Sequence, residues 1–284
     1  MAQSPHLVST QWLAAHLNSP DIVVVDGTYF LPNEQRDAKA EYLQGHIPGA
    51  LFFDIDDIAD DATDLPHMLP PPAKFSSRMR KMGIGDGKRV IAYDARGMFS
   101  AARVWWTFRV MGHEDVAVLD GGLPKWKAEG LPVEDGSRGV QERHFTARKD
   151  ASMVRDAADV LDIVNGRGDG QQIVDARAAP RFKGEAPEPR PGLRAGHMPG
   201  AFNVPFTAVL NGDGTFKSAD GIRQVFEAAG VNFDAPIVTS CGSGVTAAVL
   251  SLALALAGHG DNALYDGSWA EWGKASELPV VTGG

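Results

Sequence analysis

A single cysteine in 284 residues leaves no partner for an intrachain disulfide and no thiolate cluster for a metal. Basic residues are also scarce, with 27 Lys and Arg against 36 Asp and Glu. The net charge of −9, with no Lys/Arg run, argues against a nucleic-acid partner or an anionic membrane surface. Long apolar runs are missing too. The longest, Val245 to Ala257, is interrupted by Thr246 and Ser251 and falls well short of the roughly 20 residues that span a bilayer. The N-terminus lacks a basic-then-apolar signal pattern. Neither a Walker A loop nor a G-x-G-x-x-G fingerprint is present, which removes nucleotides. His6, His16, His113, His144 and His259 are scattered without metal-ligand spacing. The expectation is a cytoplasmic soluble enzyme in a reducing compartment, using neither metal nor organic cofactor and touching neither membrane nor nucleic acid.

The lone cysteine stands in an informative place. Cys241 opens the run Cys241-Gly242-Ser243-Gly244-Val245-Thr246, between a short apolar segment, Pro236 to Ser240, and a helical pattern from Val245 to Ala257. A thiol between a strand end and a helix start can be surrounded by inward-pointing backbone N–H groups, aided by the positive end of the helix dipole. A buried cysteine acting as a small hydrophobe is the ordinary alternative. Glycine at both +1 and +3 argues against it, since pure packing would not need that backbone freedom. The spacing points to a nucleophile.

The chain also contains itself twice. Gly45-His46-Ile47-Pro48-Gly49-Ala50 returns as Gly196-His197-Met198-Pro199-Gly200-Ala201, and Val23-Val24-Val25-Asp26 as Gln172-Ile173-Val174-Asp175. Leu119-Asp120-Gly121-Gly122 returns as Tyr265-Asp266-Gly267-Ser268, and Leu131-Pro132-Val133 as Leu278-Pro279-Val280. A repeat of about 147 residues is too long for a solenoid and marks a duplicated domain. Alignment places Asp94 where Cys241 stands, so only the second copy carries the nucleophile.

Each half alternates Val/Ile-rich strands with helices, the pattern of an α/β domain whose mostly parallel sheet has helices on both faces. Strands are expected near 22–26, 89–93 and 116–119, and again near 172–175, 236–240 and 263–265. Open sheets of this kind place their sites at the carboxyl ends of strands, where Cys241 falls. The domain boundaries expected are 1–135 without a nucleophile, a linker over 136–152 with no apolar periodicity, and a catalytic domain over 153–284. Gly184 to Pro191 reads as a proline-rich surface loop inside the second domain.

Duplication, the Gly-His-Ile/Met-Pro-Gly-Ala motif in each copy and a cysteine only in the second resemble the two-domain rhodanese sulfurtransferases. Cys241-Gly-Ser-Gly-Val-Thr246 is similar to the loop of the branch that takes sulfur from 3-mercaptopyruvate. Thiosulfate-using relatives carry Arg and Lys at the two positions held here by Gly242 and Ser243, and a dianion would want that positive charge. The resemblance spans about Val8 to Val280.

It implies sulfur transfer from 3-mercaptopyruvate to a thiol acceptor (a small dithiol protein or a free thiol) or to cyanide, through a Cys241 persulfide with release of pyruvate. It also implies two substrate arginines, matching Arg181 and Arg190, with Arg177 and Arg194 as nearby rivals; a guanidinium suits a carboxylate bidentately. Gly242, Gly244, Val245 and Thr246 complete the substrate loop. Ser243 either relays a proton or hydrogen-bonds the substrate carbonyl, or else satisfies its own loop. His46 and Asp37 are the resemblance's charge partners from the first domain, although His197 in the equivalent motif suggests that this histidine shapes the turn. His67-Met68-Leu69-Pro70 resembles a first-domain stretch of the family and reads as fold or cleft wall.

Three other readings are weighed. A thiosulfate:cyanide sulfurtransferase is the nearest, and the neutral loop counts against it. A cysteine phosphatase would need Arg six residues after the nucleophile, where Ala247 stands. A non-catalytic sulfur carrier or binding module would load sulfur without turnover.

Overall fold

The computed structural model describes residues 4–284. The chain divides into two compact units. One comprises residues up to Asp61, Leu69–Asp150 and Gly212–Thr215; the other comprises Ala62–Met68, Ala151–Asn211 and Phe216–Gly284. Each unit thus takes one short segment from the other half of the sequence, which hydrophobic periodicity cannot foretell.

The first unit holds a five-stranded parallel sheet of β1 (Leu7–Val8), β2 (Ile22–Asp26), β3 (Leu51–Phe52), β4 (Arg89–Tyr93) and β5 (Val116–Leu119), ordered β1-β5-β4-β2-β3. Its central strands read as near-continuous apolar runs, as they must when helices cover both faces. Val24, Ile91, Tyr93 and Leu119 are buried together with Trp126. In the second unit β6 (Val154–Arg155), β7 (Gln172–Asp175), β8 (Phe202–Asn203), β9 (Ile237–Ser240) and β10 (Asn262–Tyr265) repeat the same order, β6-β10-β9-β7-β8, also all parallel. Val160, Ile173, Val238, Trp269 and Trp272 form its core. The duplicated α/β architecture is as the sequence implied. The two-residue edge strands were not foreseen, because two residues show no period.

Two segments differ from expectation. The helix after Cys241 begins at Ala247, not Val245, because residues 241–246 curl into a loop before the first helical turn. The stretch 136–152, expected as a free linker, is counted in the first unit as far as Asp150. Phe145 is 1% exposed and lies edge-on to Phe75 and Phe108, at 5.6 and 6.1 Å between ring centres. The Ser76 hydroxyl donates to its carbonyl at 2.6 Å. One aromatic anchor in a polar stretch has no periodicity to betray it.

Candidate active site

β9 delivers Cys241 to the carboxyl edge of its sheet, one residue past Ser240. The residue is 2% exposed, and Ser243 is 5% exposed. The following loop is held from beneath by the segment after β10. The Ser268 hydroxyl oxygen accepts from the N–H of Cys241 (3.2 Å) and of Gly244 (3.1 Å) and donates to the Tyr265 carbonyl (2.8 Å). Trp269 and Ala270 donate their N–H groups to the carbonyls of Cys241 (3.0 Å) and Gly242 (2.8 Å). Ser268 is fully buried and adopts φ +49, a left-handed conformation that costs a non-glycine residue free energy. With those contacts made, the N–H groups of Gly242, Ser243, Val245 and Thr246 have no protein acceptor among the described residues. They are unengaged donors in the loop that Cys241 opens.

The copy in the first unit shows what such a loop wants. Asp94 follows β4 as Cys241 follows β9, and its carboxylate is wholly buried. Oδ1 accepts from the N–H of Arg96, and Oδ2 from those of Phe99, Ser100 and Ala101, each at 2.8 Å. Leu123 donates to the Asp94 carbonyl at 3.0 Å, the counterpart of the Trp269 contact. Where the second unit has Ser268, the first has Gly122, at φ +56. A Cβ there would stand 2.7 Å from the Asp94 carbonyl oxygen, so no side chain fits.

Beside the cysteine loop, four arginines divide cleanly by their partners. Arg194 is spent on the chain's own backbone, donating to the carbonyls of Gly273, Leu278, Trp272 and Ala275. Arg177 is buried, its guanidinium 4.2 Å above the Trp269 ring and bound to Asp175 (2.7 Å), Glu188 (2.7 Å) and the Gly196 carbonyl (2.9 Å). Burial alone would depress its pKa, but Asp175 and Glu188 outweigh that and hold it above the usual value. Arg181 keeps 24% of its side chain exposed while pairing with Glu188 at 2.5 Å. Its Nη2 crosses Gly242 so closely that a Cβ on that residue would lie 3.0 Å away. Arg190 Nη2 lies 3.0 Å from Nε2 of His67, a residue of the same unit that is 4% exposed at φ +62. A guanidinium only donates, so this ring nitrogen accepts and the ring proton sits on Nδ1.

The first-unit residues suggested by resemblance have local work. The Asp37 carboxylate caps the helix Ala38–Gln44, accepting from the Ala40 N–H at 3.0 Å. His46 stacks on Tyr42 at 4.1 Å and places Nδ1 2.8 Å from the Tyr42 carbonyl. His197 does the same on Phe182, at 3.7 and 2.8 Å. In both units the neighbouring backbone pairs, His46 with Glu134 and His197 with Val281. The ring stacking and the carbonyl contact recur in both units, as a histidine that shapes the turn requires, while His46 alone also has a carboxylate, Glu134, 3.4 Å from Nε2.

Comparison with known proteins decides the lineage. Residues 9–129 and 157–275 each match the rhodanese-like domain. The chain belongs to that family. A 3-mercaptopyruvate sulfurtransferase of Escherichia coli (strain K12) is 45% identical over 274 residues, 96% of either chain. A protein of Arabidopsis thaliana named thiosulfate/3-mercaptopyruvate sulfurtransferase 1, mitochondrial, is 40% identical over 299 residues, covering 99% of this chain and 79% of its own. The crystal structure of SseA from Escherichia coli, described as a 3-mercaptopyruvate sulfotransferase with the rhodanese fold, superposes with a TM-score of 0.85 at 43% identity, covering 93% of this chain and 99% of that one.

Three residues of this rhodanese-like site escaped sequence reasoning. Ser268 had a visible signal, a serine where the repeat has Gly122, but a serine in a turn after a strand says nothing of the backbone it supports. Glu188 sits in the stretch Gly184 to Pro191, whose surface-loop reading hid its burial. His67 looked like fold because it belongs by sequence to the first half; its place with Arg190 appears only in three dimensions.

Proposed function

We propose that this chain takes a sulfur atom from 3-mercaptopyruvate as a persulfide on Cys241 and hands it to a thiol acceptor, releasing pyruvate. The observation that carries the reading is a buried cysteine at the head of a loop with four unengaged N–H groups, crossed by a partly exposed arginine. Arg181 and Arg190 hold the donor's carboxylate and keto oxygen. The Cys241 sulfur, as thiolate, attacks the donor sulfur along the C–S bond. That bond breaks, its electron pair leaves on carbon as the pyruvate enolate, and the donor's own S–H proton, passed through the site or solvent, completes pyruvate and leaves the persulfide as an anion. The Ser243 hydroxyl donates to the keto oxygen as enolate charge develops. Cys241 then carries the extra sulfur, and the loop N–H groups of Gly242, Ser243, Val245 and Thr246 bear its negative charge.

An acceptor thiolate attacks the outer sulfur and restores the Cys241 thiolate; cyanide does the same and leaves as thiocyanate. Two half-reactions on one covalent intermediate give ping-pong kinetics. Asp37 and His46 take no step in this scheme. A reducing, thiol-rich compartment such as the cytoplasm supplies the acceptor and keeps Cys241 free. Among the described residues no helix is long and apolar enough to cross a membrane.

Thiosulfate is the second donor to consider, because the Arabidopsis relative's name includes it. Intact mass after incubation with each donor separates the readings. Mercaptopyruvate is expected to add one sulfur, about 32 Da, with stoichiometric pyruvate, and Cys241→Ser to add nothing and lose turnover by about 10⁴-fold or more. Loading from thiosulfate alone would overturn the assignment. Loading without repeated turnover would leave a sulfur carrier.

A further inference from the structure

Glu188 lies between Arg177 and Arg181, and only 3% of its side chain is exposed. Oε1 accepts from Nη1 of Arg177 at 2.7 Å and from Nε of Arg181 at 3.3 Å, and Oε2 from Nη2 of Arg181 at 2.5 Å. Asp175 closes the far end on Arg177 at 2.7 Å. The chain Asp175–Arg177–Glu188–Arg181 therefore holds two carboxylates and two guanidinium groups. Arg181 reaches across Gly242 with Nη1 outside these contacts and its charge already matched. A buried carboxylate requires such partners, and removing one group of the chain leaves another uncompensated. The first unit offers an internal contrast: Thr28 stands where Arg177 does, donating through N and Oγ1 to Asp26, and the ion pair at the Asp94 loop is that of Arg96, within the loop, with Glu34 at 2.9 Å.

We propose that Glu188 determines donor charge: by neutralising Arg181 it makes the site favour a singly charged α-keto carboxylate over a doubly charged sulfur anion. An arginine without that counter-charge attracts a dianion about twice as strongly as a monoanion, whereas a compensated one mainly offers geometry. Glu188 acts through Arg181 and is a positioning and specificity residue, not a group that touches the reacting atoms. The inference rests on the donor reading above, and its test is built to fail separately from it.

The measurement is the ratio of kcat/KM for thiosulfate to kcat/KM for 3-mercaptopyruvate in wild type, Glu188→Gln, Glu188→Ser and Glu188→Asp, each with a melting curve. Both neutral variants are expected to raise the ratio about tenfold or more, and added salt to shrink the gain. Glu188→Asp is expected to keep the wild-type ratio. Equal loss with both donors in the folded neutral variants would mean that Glu188 only supports the loop, and would overturn the proposal. A binding arm covers the case of no turnover: calorimetry of sulfate and pyruvate on Cys241→Ser, with and without Glu188→Gln. If wild type fails on mercaptopyruvate yet Glu188→Gln still favours sulfate, the donor reading falls and the charge role stands. If the sulfate-to-pyruvate preference does not move, the charge role falls.

Discussion

The loops after β4 and β9 have a common frame, and they differ in what occupies the ring of backbone N–H groups. In the first unit a carboxylate fixed to the chain fills it permanently, with four donors at 2.8 Å. In the second the head residue is a cysteine, and Ser268 takes two of the N–H groups from below. Buried donors must be satisfied or the fold pays heavily. A copy with no sulfur chemistry meets the demand with Asp94. A copy that must accept and release a charged sulfur cannot, so it spends a strained serine to hold the loop open. The difference continues one layer deeper. Tyr93, aligned with Ser240, accepts from the Ile47 N–H at 3.2 Å, while Arg177 donates to the Gly196 carbonyl at 2.9 Å. Both tie the Gly-His-x-Pro-Gly turn to the sheet, one with a phenol and the other with the cation that also orders Glu188.

If Asp94 is an internal anion, neutralising it should unsettle the first unit and spare the chemistry. Asp94→Asn keeps the shape but turns an NH₂ group toward backbone donors that need an acceptor. The cost is about 3 kcal/mol, and a unit of this size should melt about 10 °C lower. Persulfide loading at 25 °C should be unchanged. A melting temperature within about 1 °C of wild type would show that the four hydrogen bonds contribute nothing net.

Exchanging the residue beneath the loop sharpens the comparison from the other side. Ser268→Gly installs the first unit's own residue at a backbone φ of +49, where glycine is at ease. Stability should hold to within about 3 °C, since lost hydrogen bonds and relieved strain oppose each other. Turnover should fall by about 10- to 100-fold, because the Cys241 and Gly244 N–H groups lose their anchor and the loop no longer presents its donors in register. Full activity in a stable Ser268→Gly protein would remove Ser268 from the account of the site.

Much of this was legible in the chain itself. Cys241, the Asp94 replacement and the repeated strands followed from a long-range repeat with a conspicuous nucleophile. Resemblance put forward Arg181 and Arg190 among four candidates; the structure shows Arg194 engaged by carbonyls and both Arg177 and Arg181 paired with Glu188. What stayed hidden depends on side chains meeting across large sequence distances. Glu188 looks like any loop carboxylate until its burial is known. Phe145 is one aromatic in a polar stretch. The segment 62–68 is counted with the unit that follows it, and hydrophobic periodicity carries no information about such an exchange.

The smallest expected effect concerns pH and belongs to the first unit. His6 is half-buried against Trp105, with ring centres 5.4 Å apart, and burial, aided by the nearby Arg109 charge, lowers its pKa from 6.5 to about 4. Burial lowers His113 in the same direction, partly offset by Lys88 and Asp115. Below pH 6.5 the unfolded chain takes up protons that the folded imidazole refuses. Their stabilising contribution is therefore complete above pH 6.5 and drains away as pH falls toward 4. Solvent screening at a half-exposed ring limits the His6 share to about 1 kcal/mol, or about 2–4 °C. His6→Phe retains the aromatic contact without the proton, so its melting temperature should fall less steeply between pH 6.5 and 4. Parallel curves for the variant and wild type would assign the acid sensitivity to other groups. A steeper wild-type curve would assign part of the first unit's acid sensitivity to the His6 imidazole.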